Sequence, residues 1–304
     1  MKSILSNYIE HLKISKNLSF KNYDSLHKWS IDNISDFWES IVTFFNIEFH
    51  KKPKLNYRFN KNFIDTEWFL DSEISYCKNV FRNINHNYPA IKYCNENEVY
   101  TEISWNSLAQ KTNEFKEILI KNGIKVGDRV VGYCSNTPEV IAAFLATNSL
   151  GAIWSSCSPD FGYDSVFERF DQIKPDFLFF HADYQYGGKK YSLENKVKKL
   201  KKSIISIKAI LDLNTMSAFS KKSESIEIDC IPVDFNHPIW ILFSSGTTGK
   251  PKAITHRTGG IILEHFKALA IHQDVLKNEN YFWYSTTGWM MWNYSLSSLL
   301  LGTT

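Results

Sequence analysis

The sequence contains no CxxC pair, no long apolar run and little net charge, and each absence removes a class of protein. Its five cysteines, Cys77, Cys94, Cys134, Cys157 and Cys230, are scattered along the chain. That spacing excludes the common zinc sites and a disulfide framework. The odd count fits a reducing cytoplasm, which is the expected compartment. No stretch of about 18 apolar residues is present to span a bilayer. The start of the chain, Met1 to Lys13, places Asn7, Glu10 and His11 where a signal peptide would need an apolar core. A net charge of +3 is too small to point to nucleic acid. The nine histidines show no metal-ligand spacing, so no metal site is expected from them. No internal repeat is visible.

What is present describes an ordinary soluble globular chain. A length of 304 residues suggests about two domains. Hydrophobic residues make up 43% and charged residues 22%, enough for a core of normal size. Residues 1 to about 85 are polar and rich in Asn and Lys, punctuated by Trp29, Trp38, Phe44, Phe45 and Trp68. The stretch Asp36 to Phe45 sets aromatics at helical spacing. Residues 1–85 are therefore expected to form a small helical cap laid on a main domain of residues 86–304.

From about residue 86 the pattern alternates between strand and helix. Ser107 to Asn122 reads as an amphipathic helix with Leu108, Thr112, Phe115 and Leu119 on one face, stopped by Gly123. Arg129 to Cys134 reads as a short buried strand. Thr137, Pro138 and Glu139 supply an N-cap, a first-turn proline and a first-turn acid for a helix ending at Gly151. Phe177 to His181, Ile204 to Leu211 and Ile239 to Phe243 read as further strands, and Trp289 to Leu301 as a buried helix. Strands spaced by helices predict an α/β fold whose mostly parallel sheet carries helices on both faces. The basic run from Lys196 to Lys202 reads as a solvated helix face, with phosphate binding as the alternative.

One loop carries chemistry. After the strand Ile239 to Phe243 come Ser244, Ser245, Gly246, Thr247, Thr248, Gly249, Lys250, Pro251, Lys252 and Ala253. The two glycines allow positive φ and close approach of backbone N–H groups to an anion. The four hydroxyls add donors, and Lys252 adds a point charge. Together they suit a polyphosphate. A Walker A loop is excluded, because its glycines stand five apart and Ser or Thr follows the lysine directly. Here the glycines are three apart and Pro251 follows Lys250.

The string Ser244 to Ala253 resembles the signature loop of the adenylate-forming superfamily, which includes acyl-CoA synthetases, luciferases and peptide-synthetase adenylation domains. Ala253 stands where that family usually has glycine. The segment Thr286-Thr287-Gly288-Trp289-Met290-Met291-Trp292-Asn293 lies where the family's next core motif falls. With Ala253, Ser158 to Gly162, Gly259 to His265 and Leu299 to Thr303, it resembles the acetoacetyl-CoA branch. Trp38 to Phe45 is similar to the N-terminal extension shared by the acetyl- and acetoacetyl-CoA branches. Departures occur at Asp71, where the family commonly has glycine, and at Ser75, where it commonly has asparagine.

The resemblance implies the N-terminal domain of the AMP-binding fold and an acid–thiol ligase. Its substrates would be acetoacetate, ATP and coenzyme A, with Mg²⁺ as the metal of the complete enzyme. Ser244, Ser245, Gly246, Thr247, Thr248, Gly249 and Lys252 would grip the ATP phosphates. Trp289 and Met290 would line the acyl pocket, while Met291 and Trp292 serve the pocket or the core. Lys189, in Tyr186 to Lys190, is either a coenzyme A phosphate ligand or a solvated turn lysine. His256 either faces the nucleotide or caps the following helix. The family's ribose-binding Asp, hinge and adenylation Lys are expected beyond Thr304, so the chain is expected to be an N-terminal fragment, inactive alone, with a split enzyme completed by a separate C-terminal half as the alternative. Two alternatives stand beside this: a piece of an acetyl- or propionyl-CoA synthetase, and a non-catalytic nucleotide-binding module.

Overall fold

A computed structural model of the chain describes residues 2–85, 87–220, 227–244 and 249–304. The first helices are α1 (Ile4–Lys16), α2 (Tyr23–Asp32) and α3 (Ile34–Phe44). Ser3 caps α1 by accepting from the Ser6 N–H, and Asn22 and Ser25 form a reciprocal capping box on α2. The aromatics at helical spacing in α3 face inward. Phe44 meets Tyr8 edge to face, and Phe45 stacks on Phe266 of the main body at 5.0 Å.

The helices do not make up this region alone. Strands β1 (Phe49–Lys51), β2 (Leu55–Arg58), β3 (Glu67–Leu70) and β4 (Glu73–Ile74) follow, and then the short helix α4 (Tyr76–Phe81). The two departures from the family pattern keep their local physics. Asp71 adopts the left-handed conformation with φ of 61°, a backbone state that glycine favours and Asp tolerates. Ser75 caps α4 by accepting from the Lys78 N–H at 3.2 Å, a role Asn fills equally well.

The hairpin β5 (Pro89–Cys94) and β6 (Tyr100–Ser104) leads into α5 (Trp105–Lys121). Leu108, Thr112, Phe115 and Leu119 are all fully buried there, as the amphipathic pattern predicts, and Gly123 has φ of 75°. Next come β7 (Arg129–Tyr133), α6 (Pro138–Ser149), β8 (Ile153–Cys157), α7 (Tyr163–Ile173) and β9 (Phe177–Phe180). A second hairpin, β10 (Asp183–Tyr186) and β11 (Lys189–Ser192), precedes α8 (Glu194–Ser203) and β12 (Ala209–Asp212). The lysines at 196, 198, 199 and 202 lie on the outer side of α8, while Val197 and Leu200 are buried. The remaining elements are β13 (Val233–Asp234), β14 (Pro238–Ser244), β15 (Lys252–Arg257), α9 (Thr258–Phe266) and α10 (Met290–Leu296).

The central sheet has six strands in the order β12-β9-β7-β8-β14-β15. Every pairing in it is parallel except β14 with β15. Both faces are covered, so successive side chains of each strand enter different cores. Val130, Phe177 and Phe179 pack with α5 and α6, while Val131, Tyr133 and Leu178 pack with α7 and α8. Helix α6 is buried along nearly its whole circumference, with Glu139 as its exception, which identifies it as a central core helix. Phe144 from α6 sits within about 6 Å of the ring centroids of Trp154, Trp240 and Trp292.

Two sequence expectations need correction. The strand expected over Ile204 to Leu211 begins only at Ala209. Ile204 ends α8, Ile205 is 93% exposed and Ile207 is buried, so these residues form the turn that returns the chain to the sheet. The apolar run signalled burial without strict alternation. The helix expected over Trp289 to Leu301 begins at Met290 and tightens to 3₁₀ from Ser297. Strands β8 and β15 had no sequence expectation, because Ile153 to Cys157 mixes serines with apolar residues and Lys252 to Arg257 is mostly polar.

Candidate nucleotide and acyl site

The parallel strands all end on one edge of the sheet. The chain reverses direction of travel across it between β7 and β8: β8 lies on one side of β7 and β9 on the other. The crevice outside the carboxyl ends at such a reversal is where open α/β sheets bind ligands. Residues 134–136 leave β7 here, residues 158–162 leave β8, and His181 follows β9. Strand β14 delivers Ser244 to the same edge.

The Ser/Thr/Gly loop joins β14 to β15. Ser244 pairs across from Lys252, which anchors both ends of the loop in one antiparallel ladder. Gly249 has φ of 152°, and Lys250 and Lys252 are exposed. Pro251 is buried, and its carbonyl accepts from the Gln172 side chain of α7 at 3.0 Å. The C-terminal base of the loop is thus pinned to a helix on the opposite side of the sheet from α6. Ser245, Gly246, Thr247 and Thr248 lie outside the described residues.

The segment Thr286–Trp289 is stapled to the same edge. The buried Thr287 hydroxyl donates to the Cys134 carbonyl at 2.7 Å, directly after β7. Ser156 in β8 donates its hydroxyl back to the Thr287 carbonyl at 2.6 Å. A Cβ on Gly288 would stand 3.1 Å from the Ser158 backbone nitrogen, so glycine is what permits this close approach. The Trp292 indole N–H donates to the Asn136 side-chain carbonyl at 2.8 Å. Thr287 and Gly288 are marked in the sequence only by the motif string that contains them, and Ser156 and Asn136 lie outside every motif and carry no signal there.

Trp292 is buried in the aromatic core, stacked near Trp154 with centroids 6.4 Å apart, which decides its role as packing. Trp289 and Met290 are 65% and 52% exposed, at the start of α10 beside the pinned Gly288. Two exposed apolar side chains at a sheet edge that also carries the Ser/Thr/Gly loop are available to a ligand.

His181 ties the neighbouring strand ends together. Its Nδ1 accepts from the Ser135 N–H at 3.2 Å, which leaves the proton on Nε2, facing the Thr137 hydroxyl at 3.4 Å. Burial lowers its pKa and keeps it neutral. Thr137 stands at the N-cap position of α6 as expected, but its hydroxyl serves His181 and does not cap the helix backbone. His256 does not cap α9 either. Arg257 occupies that position, and its guanidinium reaches the carbonyls of Thr66 and Ile64. The His256 ring lies instead against Trp240 at 6.1 Å, and burial lowers its pKa. Lys189 is exposed at the tip of the β10–β11 hairpin.

Among the described residues, no group of three His, Cys, Asp or Glu is placed to hold a metal ion. All five cysteines are free thiols. No helix among the described residues is long and apolar enough to cross a membrane.

A doubly covered, mostly parallel sheet with a Ser/Thr/Gly loop at its carboxyl edge is the N-terminal domain fold of the adenylate-forming enzymes. The chain belongs to the AMP-binding enzyme family, whose model matches residues 81–304. A model described as the acetyl-coenzyme A synthetase N-terminus matches residues 23–80.

More particularly, the chain is similar to acetoacetyl-CoA synthetases. It is 34% identical to that of Macaca fascicularis over 309 residues and 33% identical to that of Rhizobium meliloti (strain 1021) over 302 residues. Each match covers 94% of this chain and 46% of the relative. The solved acetoacetyl-CoA synthetase from Streptomyces lividans superposes with a TM-score of 0.93 at 32% identity, covering 100% of this chain and 49% of that one. The chain therefore spans about half the length of the relatives it matches.

Proposed function

We propose that this chain forms the phosphate-binding and acyl-binding half of an ATP-dependent acid–thiol ligase whose acid is acetoacetate. The observation that carries this reading is the convergence of two motifs on one sheet edge. Strand β14 delivers the phosphate loop there, and Thr287 and Gly288 are held against β7 and β8 beside it.

In the proposed reaction a carboxylate oxygen of acetoacetate attacks the α-phosphorus of ATP. The bond to the bridging oxygen breaks, pyrophosphate leaves with that electron pair, and an acyl-adenylate forms. The thiol of coenzyme A then attacks the activated carbonyl, loses its proton, and displaces AMP. An anion approaches an anion in the first step, so catalysis is mainly positioning and charge stabilisation. Ser244, Ser245, Gly246, Thr247, Thr248 and Gly249 would hold the departing phosphates through N–H and hydroxyl donors, with Lys252 adding a positive charge. Trp289 and Met290 would wall the acyl pocket, where bulky side chains leave room for a short acid. Lys189 would meet a phosphate of coenzyme A. Mg²⁺ would accompany the ATP phosphates, and we place no ligand for it among the described residues. Residues 1–85 would act as a cap on the domain of residues 86–304. Five free thiols suit a reducing compartment such as the cytoplasm.

The test is ATP–pyrophosphate exchange by this chain joined to the C-terminal half of the Streptomyces lividans relative. Acetoacetate, acetate, propionate and butyrate are compared, with the 304-residue chain alone as control. Exchange is expected with acetoacetate well above the other acids and none with the chain alone. Equal exchange with acetate would overturn the substrate assignment, and turnover by the chain alone would overturn the division of labour.

A further inference from the structure

The β10–β11 hairpin carries more than an exposed lysine. Its two-residue turn is Gly187–Gly188, with φ of 59° and 73°, the left-handed pair that a tight hairpin of this hand requires. That conformation aims two successive N–H groups at one point. Gly187 N–H donates to Oε1 of Glu96 at 2.8 Å, and Gly188 N–H donates to Oε2 at 3.0 Å. A single carboxylate is thus gripped by a backbone nest, the device by which proteins hold phosphate and other oxyanions.

The loop that brings Glu96 is docked on the hairpin. The Asn97 and Gln185 side chains exchange amide hydrogen bonds of 3.3 and 3.1 Å. Asn95 holds the loop's own shape by accepting from the N–H groups of Asn97 and Val99. Lys189 and Lys190 follow the turn directly and are both exposed. Tyr186 stands opposite Lys189 and Tyr184 opposite Tyr191, so these four side chains share one face of the hairpin. Tyr184 and Tyr191 stack with centroids 5.2 Å apart, and Tyr186 is 64% exposed. Aromatic rings beside an ammonium suit a purine that carries a phosphate.

We propose that the Gly187–Gly188 turn is a phosphate-monoester site shut by the Glu96 carboxylate, which an adenosine-borne phosphate must displace to enter. This rests on the coenzyme A reading of Lys189 and adds an internal competitor to it. Glutamate and phosphate require the same two N–H donors, and their charges repel, so both cannot be seated together. Glu96 lowers the affinity of the site for every phosphate ligand by the same factor, so a ligand that also gains from the tyrosine face is the one that still fills it at a given concentration.

The experiment titrates adenosine 3′,5′-bisphosphate into the 304-residue chain, following heat and the Gly187 and Gly188 amide NMR signals. Glu96→Gln keeps the side-chain shape but cannot offer two acceptor oxygens. It should bind at least about ten-fold tighter than the wild type, the scale of one hydrogen bond to a charged group. Glu96→Ala should match it, and both glycine amides should shift on binding. Adenosine without phosphates should show no such gain. Lys189→Ala should weaken binding in either background. Unchanged affinity in both Glu96 variants, with Lys189→Ala still weakening binding, overturns the competitor and leaves the coenzyme A reading standing. Absence of binding in every protein overturns both. An equal gain for plain adenosine overturns the phosphate assignment.

Discussion

Replacing Thr287 by valine removes one hydroxyl at nearly constant volume and tests how the segment Thr286–Trp289 is held. Thr287 is 1% exposed and donates to the Cys134 carbonyl at 2.7 Å, with the Cys157 carbonyl at 3.5 Å as a second acceptor. A hydrogen bond of this kind contributes about 1 kcal/mol net, and a buried carbonyl left without its partner costs about 1–3 kcal/mol. Thr287→Val should therefore destabilise the chain by about 1–3 kcal/mol. With a urea slope of about 3 kcal/mol/M the unfolding midpoint should fall by roughly 0.3–1 M. Thr287→Ser keeps the donor and loses only a methyl group, so its midpoint should stay closer to the wild type. In the joined enzyme the valine variant should also lose discrimination between acetoacetate and butyrate, because the peptide that carries Trp289 is no longer pinned. The assay is urea unfolding followed by tryptophan fluorescence, alongside the exchange panel. A valine variant as stable as the wild type, or a serine variant that falls with it, would refute the staple.

The pH dependence follows from His265, whose pKa burial pushes down to about 3 and whose Nδ1 faces the Ser297 hydroxyl at 2.6 Å. The unfolded state binds the proton at its ordinary pKa of about 6.5, so this group's stabilisation is complete above that pH. It is then lost as pH falls towards about 3, at up to about 1.4 kcal/mol per pH unit. Urea midpoints measured between pH 7 and 5 should decline, and His265→Asn should flatten that slope. Gly259→Ala should destabilise the chain by at least about 1–3 kcal/mol. An added Cβ would stand 2.2 Å from the Phe235 ring, and a thermal melt reads the loss. Lys252→Ala with Thr248→Ala should weaken ATP use in the joined enzyme while leaving the melting temperature unchanged. Lys252 is exposed and opposite Ser244, so ATP titration and a melt together check it.

By itself the sequence determined the fold class and the family, and it marked out the loop proposed to hold phosphate. Helix α5 was legible because a 3.6-residue period and a closing glycine are local facts. The loop was legible because its residues are contiguous and its chemistry depends on their order. The departures at Asp71 and Ser75 kept the left-handed backbone and the helix cap that those positions need. Only the tertiary structure decided what is brought to Thr287. The acceptor for its hydroxyl lies 153 residues away in the chain, at the end of β7, and no periodicity carries that information. It likewise decided that Trp292 packs in the core while Trp289 stays exposed, since both belong to one string. It drew the Thr137 hydroxyl away from its helix to His181 and seated Glu96 on a hairpin 91 residues further along the chain. A side chain's partner is set by whichever donor or acceptor packing brings within reach, and only the folded chain provides that neighbourhood.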